Sequence, residues 1–218
     1  MRTRVKICGI TRVDDALAAA RAGADAIGMV FWAGTPRVVA PDRARAIAAA
    51  LPPFVTTVGL FVDAAADEVR AALAAVPLGM LQFHGRETPE FCRAFGRPYL
   101  KAIPVAAEAN EAGLLEYAAR YDGAAGWLFD APPADGLPGG TGRTFDWDRL
   151  PRAPGRPLVL SGGLHAGNVG EAIRRVRPWA VDVSSGVEAI GADGAPVKGI
   201  KDPARIAAFI EEVRDADV

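Results

Sequence analysis

A cysteine thiol and a lysine amine lie close together near the start of the chain. Lys6 and Cys8 lie two positions apart in a short apolar stretch that ends at Gly9. Successive side chains of a β-strand point to opposite faces, so Lys6 and Cys8 would share one face. An ammonium beside a thiol favours the thiolate, which is the reactive form of cysteine. The alternative is that Cys8 is a small buried hydrophobic residue and Lys6 a surface residue.

Further polar residues stand at the ends of apolar stretches. Asp130 ends the run 126–130, and His84 follows the run 80–83. A carboxylate in the position of Asp130 must face solvent or accept hydrogen bonds, because burial of an unpaired charge is costly. Capping of the next turn is the alternative role for Asp130. Arg37 lies in a long loop, where it is either a binding residue on a rigid scaffold or an ordinary solvated charge.

The apolar stretches alternate with helical patterns along the chain. Short continuous apolar runs are typical of strands that are buried on both faces. They predict eight strands, of which the first ends at Cys8 and the others cover residues 26–31, 55–62, 80–83, 99–103, 126–130, 158–160 and 180–183. Helices are predicted at residues 13–22, 41–51, 67–75, 88–95, 108–120, 168–176 and 202–213, with a short helical segment near Trp147.

Strands that alternate with helices form a parallel sheet covered by helices. Eight units in 218 residues leave about 27 residues for each strand, turn and helix. Eight units favour closure into a (β/α)8 barrel, the TIM barrel of the α/β class, and a doubly wound open sheet is the competing architecture. Since no linker or charge block divides the chain, we expect one domain over residues 1–218.

Composition and charge indicate which classes of binding partner can be excluded. Half of the residues are hydrophobic and the formal net charge is −1, so the basic surface of a nucleic-acid-binding protein is missing. No apolar run approaches the ~20 residues that span a bilayer, and the first strand begins too early for a secretory signal. We therefore expect a cytoplasmic protein with no nucleic-acid or membrane partner. Cys8 and Cys92 lack zinc-ligand and disulfide spacing, so we expect no metal, and Cys92 is predicted to pack in the core.

A closed parallel barrel brings the carboxyl ends of its strands to one mouth, where barrel enzymes have their active sites. Cys8, His84, Asp130 and Ser184 all stand at predicted strand ends. This shared position favours a functional role for Cys8 over simple packing.

Three charged residues, Lys6, Lys101 and Asp182, fall at strand positions that we predict to face the barrel interior. Strands one and eight are neighbours once the barrel closes. An ion pair between Lys6 and Asp182 is therefore a hypothesis for the structure to test.

Two turns rich in small residues predict a phosphate site. They are the segments 161–164 after strand seven and 184–187 after strand eight. Small residues let backbone N–H groups converge on an anion, and the loops after strands seven and eight often bind phosphate in barrels. We expect a small phosphorylated substrate, bound by Gly162, Gly163, Ser184 and Ser185. The glycine-rich segment 139–142 lacks the ending of a nucleotide phosphate loop, and we expect a mobile loop over the mouth.

Taken together, these motifs resemble those of the phosphoribosylanthranilate isomerase family. The resemblance runs through the whole chain, in the segments 6–11, 36–37, 82–85, 129–130, 139–147, 160–164, 168–169, 181–188 and 201–202. It is most specific in the segments 6–11, 139–147 and 181–188.

The resemblance implies an Amadori rearrangement of N-(5'-phosphoribosyl)anthranilate in tryptophan biosynthesis, without metal or organic cofactor. It implies that Asp130 is the general acid at the ring oxygen and Cys8 the general base at carbon 2 of the sugar. An acid of this kind needs a raised pKa and a thiolate base a lowered one, and Lys6 is our candidate for lowering the pKa of Cys8. The substrate-binding residues that it implies are Arg37, for the anthranilate carboxylate, His84 and Asp182.

The resemblance leaves two features open. The segment 189–199 is longer than the family pattern, so its part in a lid or in subunit contacts is not assigned. The chain is expected to be a monomer or a homodimer.

Three other functions remain open at this point. Other phosphate-binding barrels, such as ribulose-phosphate epimerases and indoleglycerol-phosphate synthases, are expected to use residues other than Cys8 and Asp130. A non-catalytic sugar-phosphate sensor would need the phosphate turns but not both of these residues. Activity on the aminoaldose of histidine biosynthesis is disfavoured by Cys8, since such enzymes typically use two aspartates.

Overall fold

The computed structural model describes residues 2–106, 108–132, 142–152 and 154–217. Eight parallel strands close into a barrel in chain order, because β1 pairs with both β2 and β8. The strands are β1 (Arg4–Ile7), β2 (Ala26–Val30), β3 (Thr56–Phe61), β4 (Met80–Phe83), β5 (Tyr99–Pro104), β6 (Gly126–Asp130), β7 (Leu158–Leu160) and β8 (Ala180–Val183). The predicted TIM barrel is confirmed, and the open sheet is excluded.

Seven α-helices of the described residues cover the outside of the barrel. They are α1 (Val13–Ala22), α2 (Pro41–Ala50), α3 (Ala66–Ala75), α4 (Pro89–Arg93), α5 (Glu111–Ala119), α6 (Ala166–Val176) and α7 (Pro203–Ala216). Between β6 and β7 the described part of the chain has a short 3-10 helix, Trp147–Arg149, where a short helical segment was predicted. Of the expected loop 139–142, all but Gly142 lies outside the described residues.

Capping residues explain where two helices begin. The side chain of Asn110 accepts the N–H of Gly113 at 2.9 Å, so α5 begins directly after Asn110 and not at position 108. The ring Nδ1 of His165 accepts the N–H of Gly167 at 3.1 Å, so α6 begins earlier than its sequence pattern predicts. Local side-chain hydrogen bonds therefore set these ends more exactly than hydrophobic periodicity does.

The segment between β8 and α7 has a short 3-10 helix, Ser185–Val187, followed by an antiparallel hairpin. Its strands are β9 (Glu188–Ile190) and β10 (Pro196–Lys201). At the tip, the carboxylate of Asp193 accepts the N–H of Ala195 at 3.0 Å, which stabilises a tight turn. The unassigned segment 189–199 is thus the main part of a folded element beside the carboxyl end of β8.

Side chains fill the barrel interior in successive levels. Leu100, Ala102, Leu128, Val159 and Ala180 form one apolar cluster inside the barrel. A second small cluster, which includes Cys8, Val30 and Leu60, lies toward the mouth. The alternate side chains point outward into the larger core beneath the helices. The barrel is therefore packed below its mouth, and the polar site is confined to the carboxyl ends of the strands.

Lys101 does not face the barrel interior, so that prediction is wrong. It shares a strand face with Tyr99 and Ile103, which pack in the core beneath the helices. Its Nζ lies 2.9 Å from Oε2 of Glu87 and sits over the ring of Tyr121. This ion pair stabilises the packing of the loop after β4 against the outside of the barrel.

Within the part of the chain that the structure describes, no helix has the length and apolar character to cross a membrane.

Gly28 on β2 leaves the space that Lys6 and Cys8 occupy, and this yields a stability prediction. A Cβ at Gly28 would lie 2.8 Å from Sγ of Cys8 and 2.9 Å from Nζ of Lys6. We expect Gly28→Ala to lower the free energy of unfolding by about 1–3 kcal/mol through overpacking, measured by urea denaturation. Gly113→Ala on the exposed side of α5 is the control and should raise it by up to about 1 kcal/mol. Equal urea midpoints for wild type and Gly28→Ala would contradict this packing.

Candidate active site

All of the predicted site residues line one cleft at the carboxyl ends of the barrel strands. They are Cys8, Arg37, His84, Asp130, Gly162, Gly163, Asp182, Ser184 and Ser185. The cleft has further lining residues to which sequence reasoning assigned no individual role, namely Val30, Trp32, Thr35, Leu60, Val62, Gln82, Ser161, Leu164 and Val183. Of these, Ser161 and Leu164 belong to the predicted phosphate turn 161–164. The barrel thus brings together residues that lie up to 177 positions apart, from Cys8 to Ser185.

One wall of the cleft is apolar and the opposite wall is polar. The apolar wall comes from the ends of β2 and β3 and consists of Val30, Trp32, Leu60 and Val62. The parity of these two strands could have found it, since Val30 and Trp32, like Leu60 and Val62, are two residues apart. Such a cleft fits a molecule with a flat apolar part and an anionic part.

Lys6 and Asp182 form the ion pair that the sequence suggested. The register of β1 and β8 places them opposite each other, and Nζ of Lys6 lies 2.8 Å from Oδ1 of Asp182. Both side chains are about 95% buried, with 5% and 6% exposed. Burial disfavours the ammonium, but Asp182 and Cys8 outweigh burial and raise the pKa of Lys6 above its ordinary value. Lys6 is therefore charged within the barrel.

Cys8 is buried directly beside this pair. Burial raises the pKa of the Cys8 thiol, and the charge of Asp182 adds to the rise. Lys6 lowers this pKa, as predicted, but its effect is smaller than that of burial. The expectation of a net lowered pKa is therefore wrong, because Asp182 offsets part of the charge of Lys6 and the thiol lies out of water.

Asp130 is buried at the end of β6, and both of its oxygens have partners. Oδ1 accepts the N–H of the next residue, Ala131, at 2.8 Å. Oδ2 lies 3.2 Å from Nε2 of His84, and Nδ1 of that ring lies 3.0 Å from Nε2 of Gln82. Asp130, His84 and Gln82 thus form one hydrogen-bonded chain along the ends of β6 and β4.

Arg37 is only 5% exposed, so the reading of it as a solvated charge is wrong. Its guanidinium makes a bidentate pair with Glu188 of the hairpin, with Nε to Oε1 at 2.7 Å and Nη2 to Oε2 at 2.9 Å. The N–H of Gly199 also donates to Oε1 of Glu188, at 2.8 Å. The hairpin therefore fixes the plane of the guanidinium at the edge of the cleft.

Lys201, at the end of β10, joins this ion pair to the serine turn. Its Nζ lies 2.8 Å from the carbonyl oxygen of Ser184 and 3.3 Å from Oε1 of Glu188. Burial lowers the pKa of Lys201 to about 8, with Arg37 adding to the fall and Glu188 opposing it. Burial alone would raise the pKa of Glu188, but Arg37 and Lys201 outweigh it and this pKa lies below its ordinary value. Sequence reasoning gave neither Glu188 nor Lys201 a role in the site.

The two small-residue turns lie side by side and need their glycines. Gly162 and Gly163 have φ values of +87° and +63°, which side chains rarely adopt. A Cβ at Gly162 would lie 2.7 Å from the backbone nitrogen of Ala131, and one at Gly186 would collide with the carbonyl of Leu164. The loops after β7 and β8 are therefore in close backbone contact, as a shared anion site requires.

Within the described residues, no group of three or more histidine, cysteine and acidic side chains is arranged to hold a metal ion.

Comparison with known proteins shows that the chain is similar to the members of one enzyme family. Residues 5–212 match the family model described as N-(5'phosphoribosyl)anthranilate (PRA) isomerase. The curated N-(5'-phosphoribosyl)anthranilate isomerase of Pseudomonas aeruginosa (strain LESB58) is 57% identical over 211 residues, which are 97% of this chain and 95% of that protein.

Solved structures agree with the sequence comparison. The crystal structure of phosphoribosyl anthranilate isomerase from Thermotoga maritima is 40% identical, with a TM-score of 0.85 over 98% of this chain and 99% of that one. Another solved crystal structure is that of phosphoribosyl anthranilate isomerase in complex with reduced 1-(o-carboxyphenylamino)-1-deoxyribulose 5-phosphate. It is 39% identical, with a TM-score of 0.79 over 98% of this chain and 99% of that one.

The raised pKa of Cys8 gives a titration prediction. In an ultraviolet titration of thiolate absorbance, the Cys8 signal should appear only above the ordinary thiol value of 9.0, because burial favours the neutral thiol. The difference between wild type and Cys8→Ala isolates this signal. Cys92 should not interfere, since burial raises its pKa to about 12. A Cys8 thiolate that is already formed at neutral pH would contradict the prediction.

Proposed function

The chain belongs to the N-(5'-phosphoribosyl)anthranilate isomerase family, and we propose that it catalyses the Amadori rearrangement of phosphoribosylanthranilate in tryptophan biosynthesis. The product is 1-(2-carboxyphenylamino)-1-deoxyribulose 5-phosphate. The observation that carries the proposal is the presence of Cys8 and Asp130 in one cleft, between an apolar wall and the two small-residue turns. An aldose-to-ketose conversion needs one acid and one base on the same sugar, and these residues supply them.

Ring opening is the step that we assign to Asp130. Its carboxyl proton passes to the ring oxygen while the bond from that oxygen to carbon 1 breaks. The lone pair of the anilino nitrogen forms a double bond to carbon 1, so the open chain is an iminium cation. The carboxylate that remains on Asp130 is stabilised by the N–H of Ala131 and by His84.

Proton removal from carbon 2 is the step that we assign to Cys8. The thiol of Cys8 first gives its proton to solvent, and the resulting thiolate takes the proton from carbon 2. Lys6 and the positive charge of the iminium next to the reacting carbon both favour this thiolate. The carbon–hydrogen electron pair forms the double bond between carbons 1 and 2, and the iminium nitrogen becomes neutral. The enol proton is then lost to solvent while carbon 1 gains a proton from solvent, which gives the ketose. A further proton from solvent restores the carboxyl group of Asp130.

The rest of the cleft places the substrate between these two groups. We assign the phosphate to Gly162, Gly163, Ser184 and Ser185, and the aromatic ring to the apolar wall. We assign the anthranilate carboxylate to Arg37, whose orientation is held by Glu188. Asp182 lines the cleft floor and acts mainly through Lys6. A small charged substrate of this kind fits the cytoplasmic location that we propose.

The experiment that tests the function follows the decay of substrate fluorescence with freshly prepared phosphoribosylanthranilate. We expect rapid turnover by wild type and a loss of about 100-fold or more in kcat for both Cys8→Ser and Asp130→Asn, because each removes one proton-transfer group. Cys92→Ala is the matched control: it removes a buried thiol outside the cleft and should keep full kcat if folded. Urea midpoints establish that each variant is folded.

Two results would contradict the proposal. If folded wild type leaves the substrate unchanged but binds ribose 5-phosphate, a sugar-phosphate sensor becomes the better explanation. If wild type is active and either variant retains its kcat, that residue is not the acid or base.

A further inference from the structure

Gln82 is a buried polar residue of the cleft lining to which no catalytic or binding role has been assigned above. It is on β4 and has no exposed surface. Its amide Nε2 lies 3.0 Å from Nδ1 of His84. Its carbonyl Oε1 is buried and accepts no hydrogen bond from any residue that the structure describes.

A buried amide with an unpartnered carbonyl oxygen lowers the free energy of unfolding. A buried carbonyl oxygen without a donor loses its hydrogen bonds to water and gains none in return. A leucine or methionine of similar volume would fill the same space without that loss. Among the described residues, the contact to His84 is the hydrogen bond that an apolar residue at this position would lose.

A hydrogen bond donated by the Gln82 amide to Nδ1 would determine which nitrogen of His84 carries the proton. A neutral imidazole has one N–H donor and one acceptor nitrogen, and the partner of one nitrogen sets the state of the other. An amide N–H that points at Nδ1 makes Nδ1 the acceptor. The proton then lies on Nε2, the nitrogen that is 3.2 Å from Oδ2 of Asp130.

We propose that Gln82 is a positioning residue that selects the tautomer of His84 in which the proton lies on Nε2 and is directed at Asp130. Its amide donates to Nδ1 and so leaves no acceptor for a second ring proton. The catalytic consequence rests on the proposed function, in which Asp130 is the acid. A neutral His84 supports the carboxylate that remains after proton donation, whereas an imidazolium would hold Asp130 ionised and prevent the donation.

The proton positions can be measured directly, because the chain has only two histidines, His84 and His165. Histidine labelled with ¹⁵N gives separate signals for the two ring nitrogens by NMR. For His84 we expect an unprotonated Nδ1 and a protonated Nε2 at neutral pH. His165 is the internal control, because its Nδ1 accepts the N–H of Gly167 and should keep its signals in every variant.

Two variants separate positioning from packing. Gln82→Glu replaces the donor with an acceptor, so both nitrogens of His84 should become protonated and kcat should fall about tenfold or more with little change in KM. Gln82→Leu removes the donor without adding a charge, so the Nδ1 signal should shift and kcat should fall less than in Gln82→Glu. Its urea midpoint should equal or exceed that of wild type, because the unpartnered carbonyl is gone.

Three outcomes would overturn the proposal. They are a wild-type His84 that carries its proton on Nδ1 or on both nitrogens, a Gln82→Glu variant with unchanged His84 signals, and a Gln82→Leu variant that is destabilised at full kcat, as a packing role requires. An inactive wild type would instead refute the proposed function, and the NMR arm would still decide the proton positions.

Discussion

The ion pair between Lys6 and Asp182 is the interaction on which the site depends. Two charges inside a barrel are tolerated only as a close pair, and removal of one partner from such a pair costs about 3–5 kcal/mol. The pair forms because β1 and β8 meet in register when the barrel closes. Since Cys8 lies two residues beyond Lys6 on the same face, closure also brings the carboxylate of Asp182 close enough to act on the thiol. The pKa of Cys8 therefore depends on barrel closure.

A second network of buried charges positions the residues at the edge of the cleft. The hairpin of β9 and β10 delivers Glu188 and Lys201 from one side, and Arg37 arrives from the loop after β2. Because Lys201 also donates to the carbonyl of Ser184, the guanidinium and the serine turn cannot move independently without breaking buried charged contacts. The distance between the proposed carboxylate and phosphate sites is therefore fixed by the fold, which suits a substrate with two anionic ends.

The sequence predicted the barrel and the ion pair because both follow from local patterns, namely continuous apolar runs and strand parity. The sequence-based predictions failed where the result depends on how deeply a side chain is buried or on pairing between distant segments. Lys101 was placed inside the barrel, but it lies on the outer face with Tyr99 and Ile103. The predicted start of this strand was right, and the pairing of β5 with its neighbours decides which face points inward. The pKa of Cys8 was expected to fall, but the extent of burial is not readable from residue types. Glu188 and Lys201 were missed because the two hairpin strands that bring them to Arg37 lack the alternation of apolar and polar residues by which a strand is recognised in a sequence.

The most direct measurement of the central claim uses phosphoribosylanthranilate with deuterium on carbon 2 of its ribose. Single-turnover fluorescence decay would be compared for labelled and unlabelled substrate, with wild type and with Cys8→Ala. We predict slower decay of the labelled substrate with wild type, because Cys8 breaks that bond, and far slower decay of both substrates with Cys8→Ala. Rapid decay with Cys8→Ala that shows the same isotope effect as wild type would contradict the account, since another group would then take the proton.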